Sequence, residues 1–230
     1  MIDASRLLTW LFPSTDRPYY LPPKTPRRYA GLWLCDDIEI VTNECPAKLE
    51  HGPGELKVNL LKGYPKGGPV LEILWYPGLI AIRTEWAEKM QAAGFTGIEF
   101  SRAQIYKDSS CAVEHPGWAR IRCAAVVEPD TEASGMRLKY RCRLCGRERW
   151  TLFDPAKGLW FKPCDELPDM FQESLRGGVT FVSERLAEFF MDSGIRPVQL
   201  TRFEDVILWR SDLDNKERRP PEYQYNALYD

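Results

Sequence analysis

Residues 79–102 read LIAIRTEWAEKMQAAGFTGIEFSR, and residues 179–202 read VTFVSERLAEFFMDSGIRPVQLTR. The two stretches align without a gap at an offset of 100 positions. Ala87 matches Ala187, Glu88 matches Glu188, Gly94 matches Gly194 and Arg102 matches Arg202. The identities are few, and the physical pattern says more. Ile82 and Val182 each end an apolar run. Trp86, Met90 and Ala93 follow at spacing i, i+4, i+7, as do Leu186, Phe190 and Ser193, which puts each trio on one helix face. Thr84 and Ser183 are placed to cap the helix starts. Gly94 and Gly194 fall where a left-handed C-cap is needed. Ile98 and Phe100, then Val198 and Leu200, alternate as strands do. Each stretch therefore predicts strand–helix–strand. Such a unit cannot bury both faces of its strands alone, so two copies are expected to pack on one sheet system.

Working outward, the segment between the copies reads as β. Trp118–Val127 is expected as one strand and Met136–Cys142 as its antiparallel partner, joined by the polar turn Pro129–Gly135. Ile38–Val41 and Leu56–Leu60 alternate like strands, whereas Lys62–Pro69 has the glycine and proline content of a loop. Pro22-Pro23-Lys24-Thr25-Pro26 excludes helix and central strand, so residues 1–30 read as an extended segment over the body. The expected class is α+β: two strand–helix–strand repeats, about 79–102 and 179–202, with a β-rich, zinc-ribbon-like insert. The expected division is an N-terminal α+β half over 1–110, the insert over 111–165, the C-terminal repeat over 166–210 and a charged tail over 211–230, with Tyr223, Tyr225 and Tyr229 as its anchors.

Composition narrows the functional classes. The chain has 230 residues, 44 % hydrophobic and 28 % charged, which is ordinary for a folded globular protein. Its formal net charge of -2 argues against a general nucleic-acid binder, so no nucleic-acid partner is expected. Leu7–Phe12 is too short for the apolar core of a signal peptide, and no stretch approaches the ~20 apolar residues of a spanning helix. Seven cysteines are an odd number in a chain of this length. They read as thiols in a reducing compartment, hence a cytoplasmic protein without a membrane association.

Cys142-Arg143-Leu144-Cys145-Gly146 carries the strongest local chemistry. A strand running into Cys-x-x-Cys-Gly has the shape of a zinc knuckle, because two thiolates on one tight turn reach one tetrahedral ion. The glycine lets backbone amides point at the sulfurs. Two further ligands are needed. Cys123 lies nineteen positions before Cys142, and Cys164 nineteen after Cys145, so these four form the candidate zinc set, with Cys111 and His115 as alternatives. A redox role fits less well. A redox Cys-x-x-Cys opens a helix, and here Arg147–Phe153 reads as a strand.

Other catalytic vocabulary is thin. His51 and His115 sit in loops and recur at no metal or triad spacing, and no phosphate-binding glycine loop follows a strand. Asp36-Asp37 and the carboxylates Asp165, Glu166 and Asp169 form local acidic clusters. Trp75 and Trp160 stand where strands give way to turns, as core residues or as binding anchors.

The segments Asp165–Phe171, Val179–Leu186 and Gly194–Leu200, downstream of Cys142-x-x-Cys145-Gly146, resemble the C-terminal region of the double-CXXCG motif family of myxobacteria. The order of features covers roughly residues 70–206. The family's N-terminal Cys-x-x-Cys-Gly has no counterpart here, since Cys35 and Cys45 are ten apart. Some members are implicated as immunity proteins encoded beside secreted or exchanged toxins. The resemblance implies a non-enzymatic protein that binds and neutralises a cognate protein toxin. The second reading is a zinc-ribbon-containing interaction or nucleic-acid-binding module.

Overall fold

The structure is a computed structural model that describes residues 1–3, 8–11, 31–38, 40–42, 56–66, 72–76, 79–151, 153–154, 156–175, 180–195 and 198–202. In chain order its strands begin with β1 (Ile2–Asp3), β2 (Leu8–Leu11), β3 (Gly31–Leu34), β4 (Ile40–Thr42), β5 (Leu56–Val58), β6 (Leu61–Lys66), β7 (Ile73–Tyr76) and β8 (Leu79–Arg83). Helix α1 (Thr84–Ala92) leads to β9 (Ile98–Tyr106), β10 (Glu114–His115), β11 (Trp118–Cys123), β12 (Ala125–Val127), β13 (Leu138–Arg141) and β14 (Glu148–Trp150). Then come β15 (Trp160–Phe161), β16 (Met170–Glu173), β17 (Thr180–Val182), helix α2 (Glu184–Ser193) and β18 (Gln199–Arg202). The class is α+β and strand-rich, with two helices among the described residues. None of those helices is long and apolar enough to cross a membrane.

Two sheets dominate. The first runs β10-β9-β11-β8-β7-β3-β6, and β6 returns to pair with β9, so the sheet nearly closes on itself. Leu32, Leu61, Leu74, Leu79 and Ala81 fill its interior. The second runs β12-β16-β17-β2-β18, with Phe171, Phe181, Phe161, Leu159 and Val127 packed on one face. Between the sheets lies a third core, where Ile82, Met90, Val182, Leu186 and Phe190 meet. Leu79–Ile82 are buried because β8 separates the closed interior from this shared core.

Both aligned stretches form strand–helix–strand, and their surroundings run in parallel. In the first sheet β3 pairs with β7 in parallel, β7 with β8 antiparallel, and β11 lies antiparallel between β8 and β9. In the second, β12 pairs with β16 in parallel, β16 with β17 antiparallel, and β2 lies antiparallel between β17 and β18. Both helices are followed by a glycine at φ +68°, at Gly94 and Gly194. Buried positions correspond too, as in Ala87 with Ala187 and Met90 with Phe190. The helix starts differ. Ser183 caps α2 by accepting from the Leu186 N–H at 3.1 Å, whereas α1 has Arg83 at its N-cap with no side-chain bond. Thr84 is not a cap but the first helical residue, and its N–H goes to the Gly117 carbonyl at 2.9 Å.

The halves are joined by a carboxylate. Asp169 accepts from Arg185 Nη2 at 2.5 Å, Ser183 Oγ at 2.6 Å and the Thr96 N–H at 2.8 Å. Arg185 also donates to the Ala93 and Gly94 carbonyls, each at 3.2 Å, closing the C-terminus of α1, and lies over the Phe95 ring. Gly97 permits the approach. Its φ is +78°, and a Cβ there would stand 2.0 Å from the Met170 carbonyl oxygen.

Three expectations are corrected. Lys62–Lys66 is not loop but most of β6, antiparallel to β3. Its glycine is a packing device, since a Cβ on Gly63 would meet the Trp33 carbonyl oxygen at 2.4 Å. Trp118–Val127 is two strands, because the Ala124 N–H turns to the Gly97 carbonyl; β11 joins the first sheet and β12 the second. Neither pairs with β13, whose partner is β14. Cys35 and Cys111 are joined in a disulfide across 76 positions, so these two are not thiols. Residues 12–30 and 211–230, with the proline-rich segment, Tyr223, Tyr225 and Tyr229, lie outside the described residues, as do His51 and the Trp75 side chain. The expected boundary at 110/111 falls beside β10 and β11, which belong with β8 and β9.

Candidate functional site

The Cys-x-x-Cys-Gly turn closes a two-stranded ribbon of its own, β13 with β14. Leu138 lies opposite Trp150, Tyr140 opposite Arg149 and Arg141 opposite Glu148, with a bulge between Leu138 and Tyr140. The base is tied by the Thr151 N–H to the Arg137 carbonyl and the Arg137 N–H to Thr151 Oγ1, both at 2.8 Å. At the tip the Cys142 N–H reaches the Arg147 carbonyl at 2.8 Å, and the Gly146 N–H reaches the Cys142 carbonyl at 2.9 Å. Gly146 takes φ +71° with nothing crowding it, so backbone sign alone calls for glycine here. Glu148 accepts from both Arg141 and the Trp150 indole, which lowers its carboxyl pKa.

The two thiols of this turn differ. Cys142 is buried and Cys145 exposed. Above all the Cys145 amide, and then those of Leu144 and the Tyr140 hydroxyl, hydrogen-bond the Cys142 sulfur; against the cost of burial they lower its pKa to about 6. A thiolate held this way is the form that ligates a soft metal or attacks as a nucleophile. Two sulfurs on one knuckle fit two of the four positions of a tetrahedral zinc.

Among the described residues no group of three or more His, Cys, Asp or Glu is arranged to hold a metal. The structure thus brings Cys142 and Cys145 together and sets Cys123 and Cys164 apart from them. Cys123 ends β11 against the shared core, where burial pushes its thiol up to about 11 and it donates to the Ala125 carbonyl. Cys164 is exposed in the segment after β15. Cys111 is taken by its disulfide to Cys35. His115, on β10, packs edge-on against Trp118 at 6.2 Å, with Nδ1 3.4 Å from Arg83.

Of the acidic clusters, Asp169 is buried and committed to Arg185, so it is no part of an exposed face. Asp37 pairs with Lys62 at 2.5 Å. Trp160 is half-buried and donates to the Lys157 carbonyl at 2.7 Å. The exposed aromatic the sequence reading missed is Trp33, opposite Tyr64 across β3 and β6, with ring centroids 6.3 Å apart. Gly31-Leu32-Trp33-Leu34 is apolar without alternation, so only the pairing of β6 shows which face is outward. A second omission is the charge of the ribbon, legible once 137–149 is counted separately.

A scan against protein-family models finds no match for the chain, and a search of curated proteins finds none either.

Proposed function

We propose that the chain is a stoichiometric binding protein of the immunity type, one that neutralises a cognate bacterial toxin by occupying it rather than by chemistry. The observation that carries this reading is Trp33: 45 % exposed, yet fixed on the nearly closed sheet and paired with Tyr64. A large aromatic held rigid at the surface is the side chain that dominates tight interfaces, because little freedom is lost when it docks. The motif order that resembles the double-CXXCG family agrees with it. In the same reading the two halves are copies of one unit, and zinc on Cys142 and Cys145 stiffens the knuckle.

The test is co-expression with any toxin candidate that the neighbouring genes encode. Protection of the host and a purified one-to-one complex are expected. Trp33→Ala should weaken the complex by about 30-fold or more, the size of a hot-spot loss near 2 kcal/mol. No complex and no protection would remove the immunity reading. For the metal, elemental analysis of protein purified without chelator should give close to one zinc per chain, lost in Cys142→Ser. Zinc-free, fully folded protein would sink that part.

A further inference from the structure

The β13–β14 ribbon is strongly basic on a chain that is not. Residues 137–149 hold Arg137, Lys139, Arg141, Arg143, Arg147 and Arg149 against one acid, Glu148, a formal charge of +5 where the whole chain carries -2. Five of the six basic residues are exposed, and Arg147 is partly so. The charge follows both strands and the tip instead of gathering on one edge. Leu138 and Leu144 are exposed among these cations, at 45 % and 69 %.

We propose that this ribbon is a docking element for duplex nucleic acid, laid along a groove with its cations against the phosphates. A two-stranded antiparallel ribbon is one of the two elements that the major groove, about 12 Å wide, admits. Guanidinium groups pair with phosphate oxygens in bidentate fashion, and five of the six cations are arginines. A negatively charged remainder keeps the rest of the body off the polymer, so contact is confined to the ribbon. The inference does not depend on the immunity reading, which rests on Trp33 in the other sheet.

The experiment is fluorescence anisotropy of a labelled 20-base-pair DNA duplex with the full chain, with single-stranded DNA and duplex RNA as parallel probes. Binding at 50 mM salt is expected to weaken on the order of 10²-fold by 200 mM, as for about four phosphates engaged. Lys139→Glu with Arg143→Glu, both exposed, should weaken it at least tenfold further. Lys107→Glu, an exposed charge on the β9–β10 loop, should leave it unchanged. Circular dichroism of the double variant checks that the body is intact, and Arg143→Gln alone gives a smaller loss of the same kind if the double variant does not fold. No binding at 50 mM salt, or binding indifferent to these ribbon changes, would overturn the proposal. Displacement by poly-glutamate as readily as by duplex would overturn it in favour of an acidic protein partner. Tighter binding to single strands than to either duplex would overturn the groove placement.

Discussion

The two sheets solve one packing problem with different side chains. At corresponding positions of β7 and β16, and of β8 and β17, the first interior has Leu74 and Ala81 where the second has Phe171 and Phe181. The first sheet curls until β6 meets β9, which leaves a narrow interior that aliphatic and small residues fill. Among the described residues the second stays open, and its space is filled by rings, with Phe171 stacked on Phe181 at 5.1 Å and Phe161 edge-on to both at 5.4 Å. One order of strands thus tolerates both closed and open forms, provided side-chain volume changes with the curvature. The halves also differ in how they are fastened. The first has the Cys35–Cys111 disulfide, while the second has the carboxylate of Asp169.

The comparison can be broken at four places, taken from the largest expected effect downward. Phe181→Ala should cost about 3–5 kcal/mol in a denaturant melt, because it removes the centre of the ring cluster. A loss under 1 kcal/mol would mean that the second interior collapses freely and is not specified by its rings. Cys111→Ser should cost about 4 kcal/mol, from the chain entropy of a loop closed across 76 positions. Free-thiol titration of the unfolded native protein should find no more than five of the seven cysteines reactive; seven would remove the disulfide from the comparison.

Asp169→Asn should cost about 2 kcal/mol. Burial raises the Asp169 carboxyl, but the hydrogen bonds from Arg185, Ser183 and Thr96 and the charge of Arg185 outweigh it and hold it at about 2. A carboxyl held below its unfolded value stabilises the fold above about pH 4 and loses that contribution as pH falls toward 2. The acid limb of a stability–pH profile should therefore flatten in the variant, and an unchanged limb would dismiss the clamp. The Glu72 carboxylate, placed before β7 as that of Asp169 is before β16, accepts from the Trp86 indole at 2.8 Å. Glu72→Gln keeps an acceptor and should cost less than about 1 kcal/mol. A larger loss would mean that both halves carry equivalent clamps.

The parts of this fold that are local in the chain were legible in the sequence. The helices follow from apolar spacing, and Gly94 and Gly194 follow from the left-handed turn that ends each of them. The ribbon turn at Cys142–Gly146 follows from its own residues. What escaped depends on remote partners. β6 was hidden because Gly63 and Pro65 have loop composition, and the reason for Gly63 is the Trp33 carbonyl thirty residues earlier. The break at Ala124 depends on the Gly97 carbonyl, and without it Cys123 seemed to run beside Cys142. The Cys35–Cys111 bond depends on loops that only the finished sheet brings together. The basic ribbon was obscured by averaging, since a charge of -2 over the chain conceals +5 within thirteen residues.

The position of β2 has a consequence for the order of events during synthesis. Leu8–Leu11 leaves the ribosome well before its partners, β17 and β18, which follow about 170 to 190 residues later. Residues 31–123 hold every strand of the first sheet, so that sheet can assemble while the early strand still waits with both edges unpaired. Closing the second sheet is then a contact of very long sequence separation, the kind that slows folding and leaves an adhesive edge exposed in the interval. A growing chain would be expected to need shelter at that strand until β17 and β18 have been made.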